Sequence, residues 1–381
     1  MAKFIALTSL GLVDALYEEL QEMGIKVTGK TPSGVEFDSN WEGCYDVNLR
    51  SRVASRVIKP ILDFPAYNPD ELYNNVLKHD FTKYIDVHQT IAIDASVRES
   101  AIRDQRFVAM KVKDAIVDQF REKFGERPSV DVERPDLRVM ARLFKSQASL
   151  AIDTSGDSLT ARGYRTEAGE APLRENLAAG LLRLARFHEY ETIIDPMCGS
   201  GTFMIEAAMA LRKIAPGGTR KRFGFEKLKG FQPDAWGRVI DAAAEAELAP
   251  ETPLSVKLFG YDKIGKVVGL ARRNAERAGV ESDVQWKACS VDMLPPPEPG
   301  TKPGLIIVNP PYGERIGVTE ELRDVYKDLS FGLKKNFMGW TLWMLSGNGE
   351  LTKHLKLKSS RKIVVYNGNI ECRFLEYKIK Q

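Results

Sequence analysis

From residue 192 onward, short apolar runs alternate with helical stretches, and this rhythm admits very few folds. The spacing predicts strands over 192–195, 255–261, 284–290, 304–308 and 340–346, and helices over 202–213, 263–278 and 320–335. Strands that alternate with helices form a parallel sheet, because each helix carries the chain back across one face in a right-handed crossover. Two further runs, 361–367 and 371–379, are joined by Asn367-Gly368-Asn369 and read as a hairpin, so one strand must be antiparallel. The expectation for this half is α/β, a seven-stranded mixed sheet with ligands at the carboxyl ends of its strands.

Those strand ends carry polar chemistry. The run Thr192-Ile193-Ile194 ends at Asp195, and Pro196-Met197-Cys198-Gly199-Ser200-Gly201-Thr202 then turns into a helix. Gly199 and Gly201 let the backbone approach a ligand, and the helix start offers free N–H groups that suit a carboxylate. The dinucleotide-binding spacing fails at Met204, and an acidic strand end repels a pyrophosphate. A cationic ligand fits better, and S-adenosylmethionine carries both an ammonium and a sulfonium. Asp262, ending the next strand, is placed for a ribose diol, and Asp292, after the third, for an adenine amino group. Cys198 reads as a small packing residue or, less simply, a nucleophile. Glu206, four residues after Thr202, either braces the turn or meets an ammonium. Arg174-Glu175-Asn176 either caps the helix before the first strand or faces the donor.

The fourth strand ends in Asn309-Pro310-Pro311-Tyr312. An exocyclic amine on a purine or cytosine is a poor nucleophile because its lone pair is delocalised into the ring. Two acceptors on its two N–H bonds aim that lone pair, and the Asn309 side-chain oxygen and the Pro310 carbonyl can supply them. Tyr312 offers a face for stacking the base. An ordinary strand-to-loop turn is the competing reading.

The N-terminal half reads as α+β, with strands over 4–7, 34–37, 90–94, 139–144 and 148–153 and helices over 12–23 and 107–124. A net charge of +3 says little about nucleic acid. Its distribution says more: between Arg212 and Lys229 seven basic residues, among them Arg220, Lys221 and Arg222, face only Glu226 and are interleaved with Phe223 and Phe225. That pattern suits phosphate contact with base stacking, or else a solvated loop with its aromatics pinned to the core. Arg103, Arg106 and Lys111 form a second basic candidate. Cysteines at 44, 198, 289 and 372 and histidines at 79, 88, 188 and 354 are scattered, without metal-ligand or disulfide spacing. With no signal-peptide core and no long apolar run, a reduced cytoplasmic setting is expected.

Asp195-Pro-Met-Cys-Gly-Ser-Gly-Thr together with Asn309-Pro-Pro-Tyr-Gly-Glu-Arg resembles the THUMP-containing RNA methyltransferases, and most of all the guanine-N2-methylating half of the bifunctional bacterial 23S rRNA enzymes. Met110-Lys-Val-Lys-Asp-Ala-Ile-Val-Asp and Leu159-Thr-Ala-Arg-Gly-Tyr-Arg extend the likeness over essentially the whole chain. The resemblance implies a ferredoxin-like domain over 1–65, an RNA-binding THUMP domain over 66–165, and a class I (Rossmann-like) methyltransferase domain over 166–381. It implies S-adenosylmethionine as donor, 23S rRNA or a large-subunit precursor as substrate, and no obligate protein partner. The chain ends where the bifunctional enzymes continue into a second methyltransferase domain. An adenine-N6 methyltransferase acting on DNA or RNA would use the same tetrapeptide, and an RNA-binding assembly factor without catalysis is the reading of a different class.

Overall fold

Eight strands of the N-terminal half lie in one sheet of a computed structural model that describes residues 1–165, 173–311 and 319–380. They are β1 (Ala2–Leu7), β2 (Lys26–Thr31), β3 (Gly34–Ser39), β4 (Arg56–Pro65), β5 (Thr90–Arg98), β6 (Ser129–Val130), β7 (Leu137–Phe144) and β8 (Gln147–Asp153), in the order β2-β3-β1-β4-β8-β7-β5-β6. β4 pairs with β1 on one side and β8 on the other, so the sheet continues across the boundary expected at residue 65. The helix Gln105–Phe124 buries Val108, Val112, Ile116 and Phe120, the stripe at spacing four that its sequence predicts, in a core shared with Ile91, Leu137 and Leu150. Asp104 caps its start by accepting from the N–H groups of Arg106 and Phe107, and Gly125, at φ 74°, ends it.

The chain forms two units that interleave in sequence. The first comprises Met1–Leu7, Leu20–Leu159 and Arg220–Asp241; the second comprises Thr8–Glu19, Thr160–Thr219 and Ala242–Gln381. Most of the basic insertion therefore belongs with the first unit. Phe223 and Phe225 are buried, stack on each other at 5.2 Å, and pack against Trp236; Tyr45 lies 4.3 Å from Phe225. This corrects the expectation that they stack on RNA bases: they form a core and expose no face. Arg220 donates to the carbonyls of Ser155, Asp157 and Ser158, and Arg222 to those of Arg134 and Pro135, with Asp136 at 3.7 Å. A guanidinium fork satisfies several carbonyls at once, and these two arginines spend theirs on the protein's own backbone. Lys221, Arg103 and Arg106 are exposed, whereas Lys111 lies over the rings of Tyr73 and Phe107.

The second unit contains β9 (Thr192–Asp195), β10 (Lys257–Asp262), β11 (Val284–Ala288), β12 (Leu305–Val308), β13 (Thr341–Ser346), β14 (Ser359–Asn367) and β15 (Ile370–Lys378). Their order is β11-β10-β9-β12-β13-β15-β14; β9 to β13 are mutually parallel and β15 runs antiparallel to both neighbours, as expected. Every residue of β9, β12 and β13 is buried, which is why these strands read as continuous apolar runs.

Candidate active site

The order β11-β10-β9-β12 brings four neighbouring carboxyl ends into a row: β11 leading to Asp292, Asp262 on β10, Asp195 on β9, and Asn309 directly after β12. The Asp262 carboxylate accepts from the Gly199 N–H at 3.1 Å and from the Ile264 N–H at 3.0 Å, so the end of β10 pins the glycine turn after β9. The Cys198 N–H donates to the Tyr261 carbonyl at 2.7 Å, and Asn274 donates to the Ser200 carbonyl at 3.1 Å. Both glycines have positive φ, +53° and +87°, for different reasons. A Cβ at Gly201 would stand 2.8 Å from the Trp286 ring, whereas a Cβ at Gly199 would meet nothing within 4 Å. Gly201 serves packing; Gly199 borders open space.

Burial pushes the Asp195 carboxyl well above the usual carboxylate range; the Met197 N–H it accepts pulls it partly back, and the charge of Asp262 raises it further. The Cys198 thiol is likewise driven well up, chiefly by burial, so it is a packing residue without thiolate character. A carboxyl with a raised folded-state pKa contributes stability that is present at low pH and lost as pH rises through that pKa. Asp195→Asn keeps an acceptor for Met197 and should therefore raise the donor-free Tm at pH about 8, with the gain shrinking toward pH about 4. Identical melting curves at the higher pH would show that no carboxylate is forced into this site.

Asn309 follows the buried β12, which pairs with both β9 and β13. Its side-chain oxygen is buried and finds no hydrogen-bond donor among the described residues. Pro310 is buried beside it. Tyr312, with Glu314 and Arg315, lies outside the described residues. Glu206, fully buried, accepts from the Tyr164 hydroxyl at 3.2 Å and pairs with Arg162 at 3.6 Å, so it braces the helix Thr202–Leu211. Arg165 donates to the Thr202 hydroxyl at 2.7 Å and to the Leu173 carbonyl at 3.0 Å, with Glu175 at 3.7 Å. The sequence marked Arg162-Gly163-Tyr164-Arg165 only as part of a resemblance; its work is to clamp the segment behind the glycine turn.

Residues 162–376 match the family described as RMKL-like, methyltransferase domain. This chain belongs to the RMKL-like methyltransferases. A THUMP domain matches residues 66–153 and an RlmL ferredoxin-like domain matches residues 3–58. Ribosomal RNA large subunit methyltransferase K/L of Syntrophotalea carbinolica is 40% identical over 384 residues, covering 100% of this chain and 54% of the relative. The chain thus spans about half the length of the curated relatives it matches first. A solved structure complexed with SAH is similar at a TM-score of 0.88 and 28% identity, covering 100% of this chain and 98% of that one. A possible methylase from Clostridium difficile 630 reaches 0.89 at 29% identity, over 100% and 98%.

Proposed function

We propose that this RMKL-like methyltransferase transfers a methyl group from S-adenosylmethionine to the exocyclic N2 of a guanine in 23S rRNA or its large-subunit precursor. The observation that carries the reading is the buried Asn309 oxygen, which finds no donor among the described residues. A desolvated, unpaired acceptor is costly, and an incoming N–H satisfies it.

The residues present fit the donor. Gly199 borders space that a Cβ would fill, and Asp262, though it accepts two backbone N–H groups, has lone pairs left for a ribose diol. Asp195, Met197, Cys198, Gly199, Gly201 and Thr202 would line its methionine end, Asp292 its adenine, and Asn309 the side nearest the methyl. The bound donor supplies an electrophilic methyl group. Asn309 and the Pro310 carbonyl accept the two N–H bonds of the guanine amine and turn its lone pair toward that carbon. Alignment of this kind is worth roughly 7–11 kcal/mol. Transfer is direct, the proton then leaves to water, and no enzyme nucleophile is required. Tyr312 stacks the base, which contributes roughly 1–3 kcal/mol, and a paired guanine must first be flipped out at a cost of a few kcal/mol.

The test is a nucleoside digest of large-subunit rRNA incubated with the purified chain and labelled donor. N2-methylguanosine supports the proposal. N6-methyladenine in RNA or DNA transfers the assignment to the adenine enzymes, and binding of RNA without any methylation favours the assembly-factor reading. Asp262→Ala should weaken S-adenosylhomocysteine binding by about 1–3 kcal/mol in calorimetry, the range for hydrogen bonds to a charged group. Unaltered affinity would remove Asp262 from the donor site.

A further inference from the structure

A cavity of about 520 Å³ lies at the carboxyl end of β13, lined among others by Ser346, Gly349, Lys353, Lys362, Arg373 and Tyr377. Ser346 ends β13 and pairs with Arg373 on β15, while Lys362 on β14 pairs with Leu375. Met344, two residues before Ser346, is the register partner of Val308, the residue preceding Asn309. Adjacent strands are about 4.8 Å apart, so the Ser346 wall is one strand away from the Asn309-Pro310 turn.

The lining is cationic. Lys353 and Lys362 are exposed and have no carboxylate within ion-pair distance among the described residues. Arg373 lies 2.6 Å from Glu371, the single acidic lining residue. Hydrogen bonds from Tyr366 and Arg373 hold the Glu371 carboxyl below its usual range, with the Lys362 charge assisting, so Glu371 stays ionised and offsets one cation of three. Lys356 and Lys358, both exposed, flank the lining residue Leu357 in sequence, whereas Arg361 lies over the Trp343 ring on the other face of the sheet. A Cβ at Gly349 would meet nothing, so backbone borders the opening. The run 212–229 is different: Arg212 is tied to Asp283, Arg220 and Arg222 to carbonyls, and Lys229 to Asp86.

We infer that this cavity is a phosphate-binding subsite that holds a backbone phosphodiester of the RNA strand beside the nucleotide presented to Asn309. The inference rests on the RNA reading above. Unpaired lysines around a polar hollow suit an anion, and further exposed lysines at 356 and 358, next in sequence to the lining residue Leu357, suit a polymer of anions more than a small one. Phosphate contacts of this kind set the register of the strand without reading its sequence.

The test compares wild type with Lys353→Ala/Lys362→Ala on in vitro transcribed large-subunit rRNA, measuring binding across a salt series without donor. Each phosphate no longer neutralised should lower the slope of log K against log[salt] by about 0.7–1, so the double variant, which gives up the one phosphate held here, should lose roughly that much and bind more weakly. Donor affinity by calorimetry should be unchanged, which shows that the fold is intact. A wild-type slope in the variant overturns the inference. So does thermal stabilisation of wild type by inorganic phosphate that the variant loses while its RNA slope stays unchanged, because the site would then serve a free anion. Since the slope needs no turnover, a wild-type chain that fails to methylate rRNA counts against the proposed function alone and leaves this measurement standing.

Discussion

Asn309→Ala should leave S-adenosylhomocysteine affinity nearly unchanged and reduce single-turnover methyl transfer roughly a hundredfold or more, the scale seen when one preorganised polar contact is removed from a reacting centre. In the proposed reaction the substitution takes away an acceptor that the substrate amine would fill, so the loss falls on the rate. The glycine turn is held by Asp262 and Tyr261, not by Asn309, and should stay in place. Rapid-quench measurement of methyl incorporation into large-subunit rRNA checks this. Transfer at the wild-type rate would move the chemistry away from the end of β12.

Arg162→Met should be strongly destabilising, costing about 3–5 kcal/mol, because it removes the cation 3.6 Å from the buried Glu206 carboxyl. Both side chains are almost inaccessible, at 2% and 0% exposure, so bulk water is poorly placed to replace the lost partner. Against a total stability of roughly 5–15 kcal/mol this is a large fraction. A steep fall in the thermal midpoint is expected, with part of it recovered in Arg162→Met/Glu206→Gln, where the carboxyl has gone as well. A midpoint within experimental error of wild type would mean that water or another group already satisfies Glu206.

The sheet of the second unit was legible because β9, β12 and β13 are apolar along their whole length and stop at polar residues, so period and punctuation agree. β4 was not. Pro60 and Pro65 argue against a strand, and the register shift between Pro60 and Leu62 is where the ladder absorbs the irregularity. β2 alternates exposed with half-buried residues and contains Gly29, so it lacks the apolar signature of a core strand. In the site, Asp195, Asp262 and Asn309 could be found because strand ends are where such sheets bind ligands. The clamp of Arg162, Tyr164 and Arg165 could not, because its partners Thr202 and Glu206 lie some forty residues away in sequence. The carbonyl contacts of Arg220 and Arg222 were not legible either, because a count of cations does not reveal which guanidinium forks meet carbonyls.

The interleaving of the two units constrains how the chain can be made. Domains generally fold as they leave the ribosome, amino-terminal first, at roughly 5–20 residues per second. Here Phe223, Phe225 and Trp236 complete the aromatic core around Tyr45, so that core cannot close until residue 241 has emerged. Conversely Thr8–Glu19 is made well before the elements it belongs with: Gly180 has no room for a Cβ beside Leu12, and Gly11 none beside the Val364 carbonyl. The segment 8–19 therefore completes its packing only after the hairpin at 359–378 has been made, so the two units finish folding in an order that the chain's direction does not dictate.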